Sequence, residues 1–318
     1  MTDARIPESP VTSYKTVLKS VLRRLAVGVA ILLIAWVLLG FSGRYLALGD
    51  SAAVIRPQVG AFLIPWAALL WVMKARRFAF ASLAAATLAI GSVAPGFFAN
   101  VGKRCIDDCL TIYQKNLLSQ AWPRHQLADD IIASGAEIVT LQEVSSHNRH
   151  YMVNIYEHYG FSVICKFRPG QDVAVLTSLP VVEGSEFCLP GTGLAGVQVQ
   201  LPNGKSAWAL SIHFPWPFPF DQYDQSQMIA NKIAGLEGPK LIGGDFNMVP
   251  WGGSMHRIKE ASGTRYLGAY RNTYALGSRW LPLHIDNILV PEHSTGRARL
   301  RPNAGSDHRG ILARFTLP

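Results

Sequence analysis

Hydrophobic residues follow two different patterns along this 318-residue chain, and the pattern changes near residue 100. The first part contains three long apolar runs, Leu25 to Phe41, Val59 to Met73 and Phe78 to Phe98, none of which includes a charged residue. Because about 20 apolar residues in a helix span the hydrocarbon core of a bilayer, the pattern predicts three transmembrane helices within residues 21–100. The second run is the shortest of the three and contains Pro65.

The basic residues beside these runs predict how the chain crosses the membrane. Residues 1–20 are polar and are predicted to form a disordered cytoplasmic tail. Eight Lys or Arg precede the first run or separate the second from the third, whereas four lie at the other ends of the runs. Basic residues accumulate on the cytoplasmic side, so three crossings place the N-terminus inside and residues 101–318 outside the cytoplasm. If the second run does not cross, the side of residues 101–318 is reversed.

Beyond residue 100, short apolar runs alternate with polar turns, which is typical of strands. Arg124–Ser134 has apolar residues at helical spacing and is followed by Gly135, which suits a helix C-terminus. A second helix is predicted around Gln225–Leu236. Many strands with few intervening helices favour two packed sheets that carry helices outside. The predicted strands are Leu110–Tyr113, Ile138–Leu141, Val173–Leu176, Val197–Leu201, Ala207–Ile212, Leu241–Ile242, Ile285–Val290 and Ile311–Phe315.

The distribution of charge weakens a nucleic-acid interpretation. The formal net charge is +9, but most of the basic excess flanks the apolar runs of the first 100 residues. The remaining two-thirds are close to neutral, which argues against a large electrostatic footprint for duplex DNA. The four cysteines show no zinc-site spacing. Cys105 and Cys109 are close enough in sequence for a disulfide, although two reduced, buried thiols fit the sequence equally well.

Candidate chemistry appears where the predicted strands end. The apolar pair Leu241-Ile242 is followed by Gly243-Gly244, where the backbone must turn or approach another segment closely. Asp245 and Asn247 come next and point the same way if the extended geometry continues. An Asx-rich turn after a strand is an equally ordinary explanation of this one stretch.

Five further strand ends carry similar polar residues. Taken singly, each is explained by a cap, a turn or a surface charge. Their recurrence at successive strand ends predicts one functional site. These residues are Asn116, Glu143, His213, the pair Asp286-Asn287 and the pair Asp307-His308.

In this order the motifs resemble the endonuclease/exonuclease/phosphatase superfamily, which includes pancreatic deoxyribonuclease, abasic-site endonucleases, neutral sphingomyelinases and inositol polyphosphate phosphatases. The resemblance covers roughly residues 110–317. It implies an α/β (α+β) fold, a four-layer αββα sandwich of two packed mixed sheets, and a divalent-metal-dependent phosphoesterase in residues 101–318. The motifs are Asn116-Leu117-Leu118, Leu141-Gln142-Glu143-Val144, His213, Gly244-Asp245-Phe246-Asn247, Ile285-Asp286-Asn287-Ile288-Leu289 and Ser306-Asp307-His308-Arg309.

Phosphoester hydrolysis suggests a role for each residue. Carboxylate and amide oxygens select Mg²⁺ or Mn²⁺, so Glu143 is the expected main metal ligand, with Asn116 and Asp307 beside it. Asp245 would orient or deprotonate the attacking water, and Asn247 would bind a phosphoryl oxygen.

The histidines complete this hypothesis. His213 and His308 would flank the phosphate, and Asp286 would fix the tautomer of His308. One segment, Asp172 to Pro180, departs from the family because it lacks a basic residue before its proline. Arg168 is therefore only a candidate phosphate contact.

The substrate is less defined by the sequence. A membrane anchor near the first catalytic strand and the aromatic loop Phe214 to Phe220, with Trp216, favour a phosphorylated lipid or lipid-linked headgroup. The arrangement is also similar to bacterial membrane-anchored members of the superfamily. An extracytoplasmic nuclease acting on DNA or RNA through the Arg297, Arg299 and Arg301 cluster is the alternative, and a catalytically silent receptor or scaffold is a third. No protein partner is predicted.

Overall fold

The computed structural model describes residues 10–99, 105, 108–120, 125–276 and 281–318. Its N-terminal part is helical, whereas the remainder contains all the described strands. The N-terminal helices are α1 (Pro10–Leu39), α2 (Ala47–Val54), α3 (Arg56–Val72), α4 (Arg76–Gly91) and α5 (Ala94–Phe98).

The prediction of three membrane spans is supported only in part. In the described residues, two helical segments are long and apolar enough to cross a membrane, Tyr14–Leu39 and Arg76–Phe98. The predicted second span falls in α3, whose 17 residues extend about 25 Å, less than the hydrocarbon core. It reaches spanning length only if α2 and α3, which meet at a 60° bend, act as one broken span.

Helical structure begins within residues 1–20, the segment that was predicted to be a disordered tail. Helix α1 begins at Pro10 and continues without interruption into the first apolar run. The local sequence explains this difference, because proline is favoured in the first helical turn and Lys, Leu and Arg are good helix formers. The remaining part of the predicted tail, residues 1–9, lies outside the described residues.

Two mixed sheets form the centre of the C-terminal part. In the described ranges, one six-stranded sheet has the order β13-β14-β1-β2-β4-β3 and the other has β5-β6-β7-β8-β12-β9. The pairs β1–β2 and β7–β8 are parallel, and the other pairs are antiparallel. The strands are β1 (Leu110–Asn116), β2 (Ile138–Val144), β3 (Phe161–Cys165), β4 (Asp172–Thr177), β5 (Phe187–Leu189), β6 (Leu194–Gln200), β7 (Ser206–His213), β8 (Lys240–Asp245), β9 (Thr264–Tyr266), β10 (Tyr274–Leu276), β11 (Leu281–Leu283), β12 (Asp286–Pro291), β13 (Thr295–Leu300) and β14 (Ile311–Thr316), of which β10 and β11 form a separate hairpin.

Helices cover the outer faces of both sheets. Side chains of α6 and α8 pack with β1, β2 and β4 in one apolar cluster, and those of α9 and α10 pack with β7, β8 and β12 in another. A third cluster fills the space between the sheets, with Ile112, Val175, Val197 and Leu241 fully buried. These layers form the predicted two-sheet sandwich. The helices are α6 (His125–Ala133), α7 (Ser146–Tyr151), α8 (Val153–Tyr159), α9 (Gln222–Ala234) and α10 (Gly253–Ser262).

Polar contacts attach the N-terminal helices to the catalytic region. Asp50 on α2 is buried and accepts hydrogen bonds from the Ser254 amide at 3.0 Å, the Ser254 hydroxyl at 2.6 Å and the Gly253 amide, all at the start of α10. The Trp251 indole donates to the Ala53 carbonyl at 2.7 Å. A carboxylate beside exposed amides at a helix N-terminus is stabilising. These contacts fix α2 against Trp251 and the start of α10.

Two disulfides join cysteines in the described residues. Cys105 pairs with Cys109, which resolves the alternative left by the sequence, and Cys165 pairs with Cys188. The second pair joins the end of β3 to β5, so it links the two sheets at one side of the sandwich. The sequence analysis did not predict this second pair, because its two cysteines are 23 residues apart. Disulfides persist mainly in oxidising compartments.

The contact of Asp130 with Arg301 and Tyr113 provides a test of the packing of α6 on the first sheet. Asp130 accepts a 2.6 Å hydrogen bond from the Tyr113 hydroxyl and one hydrogen bond each from Nε and Nη2 of Arg301. Burial raises the pKa of Asp130, but the bonds from Arg301 and Tyr113 outweigh it and leave the pKa below its usual value. We expect Asp130→Asn to lower the free energy of unfolding at pH 7 by about 1–2 kcal/mol.

The sign of the pH dependence follows from the lowered pKa. A carboxyl whose pKa is lower in the folded state stabilises the fold above its unfolded pKa, and that contribution is lost as the pH falls through the folded pKa. Denaturant titrations of the purified chain in detergent should therefore show wild type and Asp130→Asn converging below pH 4. Asp129→Asn, at an exposed position on the same helix, is the control. An unchanged difference at pH 3 would contradict the assignment.

Candidate active site

The polar strand-end residues meet at one edge of the sandwich. The parallel pairs β1–β2 and β7–β8 end on this edge, bringing together Asn116, Glu143, His213 and Asp245. Strand β12 starts there, with Asp286 directly opposite Asp245 in the antiparallel register. The carboxyl ends of parallel strands often carry functional groups because successive loops converge there.

The two sheets approach each other closely under this edge. A Cβ atom at Gly243 would lie 2.1 Å from the Thr140 hydroxyl of the facing sheet, so a larger residue does not fit. A hydrogen-bond network crosses the gap beside it. The Gln114 amide donates to Gln142 at 2.8 Å and to Asp286 at 2.9 Å, and the Gln142 amide donates to Ser211 at 3.0 Å. This network fixes the catalytic edges of the two sheets relative to each other.

A group of oxygen ligands lies at the centre of the site. The side-chain amide of Asn116 donates to Glu143 at 3.0 Å and to Asp245 at 2.8 Å, thereby joining the two sheets. Ligand atoms of Glu143, His213 and Asp245 all lie within 4.8 Å of one another. Carboxylate and amide oxygens are the donors that hard divalent cations select. The donor set therefore fits a hard divalent cation, with Glu143 as the residue that would hold the ion and the Asp245 carboxylate beside it. Asn116 was predicted as a ligand, but its amide nitrogen faces both carboxylates and its oxygen accepts from the Leu118 amide at 2.8 Å, so it positions the carboxylates instead. Asp307, also predicted as a ligand, does not belong to this group of the described residues.

Unusual backbone conformations accompany this group. Glu143 and Asn247 have φ of 54° and 44°, in a region that residues other than glycine rarely adopt. Pairing of β2 with β4 also shifts register between Leu141 and Val144, as at a β-bulge. Bulges redirect side chains and occur beside active sites. Such conformations persist where the surrounding structure enforces them, which is common at functional sites.

Both predicted histidines lie beside Asp245. His213 Nε2 is 3.6 Å and His308 Nε2 is 3.8 Å from the same Asp245 oxygen. The other ring nitrogen of His308, Nδ1, lies 2.8 Å from Asp286. A bond at Nδ1 leaves Nε2 as the nitrogen directed toward the site.

Burial and neighbouring charges separate the protonation behaviour of these groups. Burial lowers the pKa of His308, but Asp286 and Asp245 outweigh it and raise the pKa to about 10, while His308 lowers the pKa of Asp286. Burial lowers the pKa of His213 to about 4 against the attraction of Glu143. Burial raises the pKa of Asp245 to about 7, opposed by His308. The environment therefore shifts the pKa values of the two histidines in opposite directions, upward for His308 and downward for His213.

A cavity of about 280 Å³ opens over these groups. Asp307 lies at its rim with a 45% exposed side chain, and its carboxylate is 4.0 Å from His308 Nε2. Arg168 also lines the cavity and pairs with Asp221 at 2.6 Å. The half-buried Trp216 forms part of the wall. The side-chain amide of Asn247 donates to the Phe214 carbonyl at 2.8 Å. The structure thus brings every predicted site residue to one cavity or to its supporting network.

Several residues around the cavity were missed in the sequence. The Tyr274 ring lies against His308 with centroids 4.7 Å apart, and Phe167 contacts His213 edge-on. Lys115 is fully buried, and its ammonium donates to the carbonyls of Asn303 at 2.9 Å and His308 at 2.6 Å, which holds the loop carrying Asp307. Lys115 lies directly before Asn116 in β1, and its side chain points to the opposite face of the strand. This position beside a predicted site residue was the one signal in the sequence that could have identified Lys115.

A family model decides the identification. The model described as "Endonuclease/Exonuclease/phosphatase family" matches residues 114–308, more than half of the chain. The chain belongs to this family. The resemblance inferred from the motifs is confirmed, and with it the expectation of a hydrolase acting on phosphoester bonds. A comparison with curated protein sequences gives no match.

Solved structures agree with the family in fold. A humanized D. rerio TDP2 is 17% identical, with a TM-score of 0.53, and the match covers 66% of this chain and 100% of that chain. The family member from Bacteroides vulgatus is 15% identical, with a TM-score of 0.53 over 66% of this chain and 99% of that chain. The one from Leptotrichia buccalis is 16% identical, with a TM-score of 0.51 over 65% and 100%. At these identities the likeness shows the fold alone.

The proposed metal ligands can be tested without knowledge of the substrate. Glu143→Gln keeps the shape of the side chain but removes the charge that attracts a cation. We expect at least tenfold weaker Mn²⁺ binding by the purified chain in calorimetric titrations, about 1.4 kcal/mol. Glu157→Gln, at an exposed position on α8, should bind Mn²⁺ as wild type does. Equal affinity of Glu143→Gln and wild type would contradict this assignment.

Proposed function

We propose that this chain is a membrane-anchored, divalent-metal-dependent phosphoesterase that hydrolyses a phosphate ester of a lipid or lipid-linked headgroup at the outer face of the membrane. The supporting observation is the aromatic loop after His213, which lies between the catalytic cavity and the N-terminal helices. Phe214, Trp216 and Phe220 line the cavity. Phe218 and Phe220 are 52% and 54% exposed.

The position of this loop relative to the helices supports a lipid substrate. The Phe218 carbonyl accepts a 2.8 Å hydrogen bond from Ser51 on α2. The segment between α1 and α2 also carries exposed apolar side chains, with Tyr45 77% and Leu46 53% exposed. Exposed apolar patches of this kind mark membrane or partner contacts. The mouth of the cavity would then face the bilayer, and the substrate would reach it without leaving the membrane.

The residues of the site suggest the division of labour during hydrolysis. Asp245, with its raised pKa, accepts the proton of the attacking water, which Asn116 and the neutral His213 help to orient. The cationic His308, held by Asp286, stabilises negative charge on the phosphoryl oxygens. Asn247 and Arg168 contact the phosphate or its substituents. A bound divalent cation would neutralise charge that develops on the phosphoryl group.

Localisation forms part of the proposal. The two disulfides favour an oxidising compartment, and the basic flanks of α1 favour a cytoplasmic N-terminus. We propose a multi-pass inner or plasma membrane protein in which α2 and α3 together form the second of three crossings, so that the catalytic domain is extracytoplasmic. A C-terminal alkaline phosphatase fusion should be active in cells, and a C-terminal green fluorescent protein fusion exported by the same route should be dark. The reverse pair of results would place the domain in the cytoplasm.

Nucleic acid remains the alternative substrate class, but the basic cluster proposed for it lies elsewhere. Arg301 is paired with Asp130, while Arg297 and Arg299 line a separate cavity beside Cys105 and Cys109. A silent receptor or scaffold is opposed by the intact set of Glu143, Asp245 and His308.

Removal of either central group should abolish catalysis. Asp245→Ala loses the proposed base, and His308→Ala loses the cation that faces the phosphate. We expect each to reduce hydrolysis of bis(p-nitrophenyl) phosphate, a soluble chromogenic diester, by about 10³-fold or more. Asp129→Ala should retain wild-type turnover, and the unfolding temperature of each variant shows whether it folds. Turnover like wild type in a folded Asp245→Ala or His308→Ala variant would overturn the roles.

The lipid proposal requires a comparison of substrates. We expect Phe218→Ser to reduce hydrolysis of lipid in vesicles by at least fivefold while leaving the soluble diester unaffected, because Phe218 is outside the cavity lining. Val153→Ser, which alters an exposed apolar residue of α8, is the matched control. The panel should include sphingomyelin, polyprenyl pyrophosphate, inositol phosphates, DNA and RNA. Cleavage of DNA or RNA without lipid turnover would refute the lipid proposal and leave the reaction class intact.

A further inference from the structure

A second cavity lies where the N-terminal helices meet the catalytic region, apart from the active site. Its volume is about 200 Å³, and we refer to it as the Arg56 cavity. The segment after α1, the start of α3 and the segment after α4 form its walls on one side, and the start of α10 closes the other. Its polar and aromatic lining consists of Phe41, Arg44, Arg56, Ser92, Trp251 and His256.

The environment of Arg56 indicates that this cavity binds an anionic ligand. The Arg56 side chain is buried, with 2% exposure, and no ion pair joins it to an Asp or Glu of the described residues. Two of its nitrogens donate to neutral oxygens, the Gly40 carbonyl and, at 3.3 Å, the Ser92 hydroxyl. Within the described part of the chain, Nε has no hydrogen-bond partner. Burying a charge without an opposite charge is costly, so such groups are normally paired.

The other charged groups near the cavity do not neutralise Arg56. Arg44 lies within hydrogen-bond distance of His256 Nδ1, at 3.2 Å, and pairs with Glu260, whose side chain is 63% exposed. The nearby carboxylate of Asp50 is directed to the backbone and hydroxyl groups at the start of α10. Two guanidinium groups therefore line one cavity, and the nearby carboxylates of Glu260 and Asp50 are engaged by groups other than Arg56.

The location of the cavity indicates which anion it takes. It lies at the ends of the apolar helices, the level at which phospholipid phosphates lie if α1 and α4 cross the bilayer. Phe41 covers one face of the Arg56 guanidinium at 3.8 Å and is itself 39% exposed. Exposed Tyr45, Leu46 and Leu48 lie nearby in sequence and offer contacts for acyl chains. Arginine binds phosphate through several donors at once.

We propose that the Arg56 cavity binds the phosphate of an anionic phospholipid. The bound lipid joins the helix ends to Trp251 and α10, four residues beyond Asn247, and so supports the membrane-side wall of the active site. The lipid identity rests on the proposed membrane placement of α1 and α4, whereas the anion site itself rests on Arg56. Binding is independent of hydrolysis, so failure of this proposal is distinguishable from failure of the proposed function.

The test uses the full chain in detergent with EDTA, which prevents turnover. Native mass spectrometry and thermal unfolding are measured with dioleoylphosphatidylglycerol, with dioleoylphosphatidylcholine and with sodium phosphate. We expect the anionic lipid to bind at least tenfold more tightly than the zwitterionic one. Arg56→Gln should weaken anionic-lipid binding at least tenfold, whereas Arg56→Lys should retain most of it. Arg76→Gln, which removes an exposed arginine at the opposite end of the helices, is the matched control.

The results of these measurements distinguish a lipid site from a site for free phosphate and from no anion site. Equal lipid affinity in wild type and Arg56→Gln would overturn the proposal. Arg56-dependent stabilisation by sodium phosphate without lipid binding would establish the anion site and reject the lipid as its source. If Arg56→Gln does not fold, Arg44→Gln carries the test, because the 43% exposed Arg44 side chain is expected to be replaceable. At least threefold weaker lipid binding by Arg44→Gln supports the proposal, and unchanged binding overturns it.

Discussion

The close approach of the two sheets at Gly243 is the constraint on which the site depends. Residues from different sheets must meet within hydrogen-bond distance, and that is possible only where one backbone carries no side chain. The bond from Asn116 on the first sheet to Asp245 on the second follows directly from this approach. The buried Gln114, Gln142 and Asp286 network would lack partners if the sheets were further apart. Buried polar groups without partners are costly, so the network also opposes any sliding of one sheet over the other.

The same geometry concentrates charge in a place that water hardly reaches. Asp245, Asp286 and both histidines are almost completely buried. Buried charges favour opposite neighbours, so Asp286 and Asp245 raise the pKa of His308, whereas burial lowers the pKa of His213. The site therefore places groups with opposite pKa shifts within a few ångströms of one another. A bound divalent ion would add positive charge where Glu143 and Asp245 converge and would offset the repulsion between their carboxylates.

Local sequence was sufficient for the main strands and for the strand-end residues, because short apolar runs with polar ends have a clear period. Strands such as β3, β5 and β13 were missed; all three lie at sheet edges, and β5 has only three residues. The membrane prediction depended on apolar length alone, which does not reveal the bend between α2 and α3. The role of Tyr274 could not be found from sequence, because it arises from a contact with His308 that is distant along the chain. Lys115 also contacts the His308 segment, and its position beside Asn116 was the one signal for it. The family motifs identified the site residues in their order along the chain, whereas the structure showed which residues each of them contacts.

The docking of the N-terminal helices onto α10 connects them with the region that carries the active site. Asp50, Trp251 and the Ser51–Phe218 contact hold the helices beside the aromatic loop, so the anchor and the active site form one surface. This arrangement is the reason for proposing a lipid substrate in preference to a soluble one.

The central claim is that the strand-end residues hold a divalent cation for phosphoester hydrolysis. Anomalous diffraction from crystals of the full chain soaked in Mn²⁺ tests it most directly. We expect a manganese peak within coordination distance of Glu143, beside Asp245 and Asn116. A fully occupied peak elsewhere, or no peak at this site in crystals of active enzyme, would contradict it.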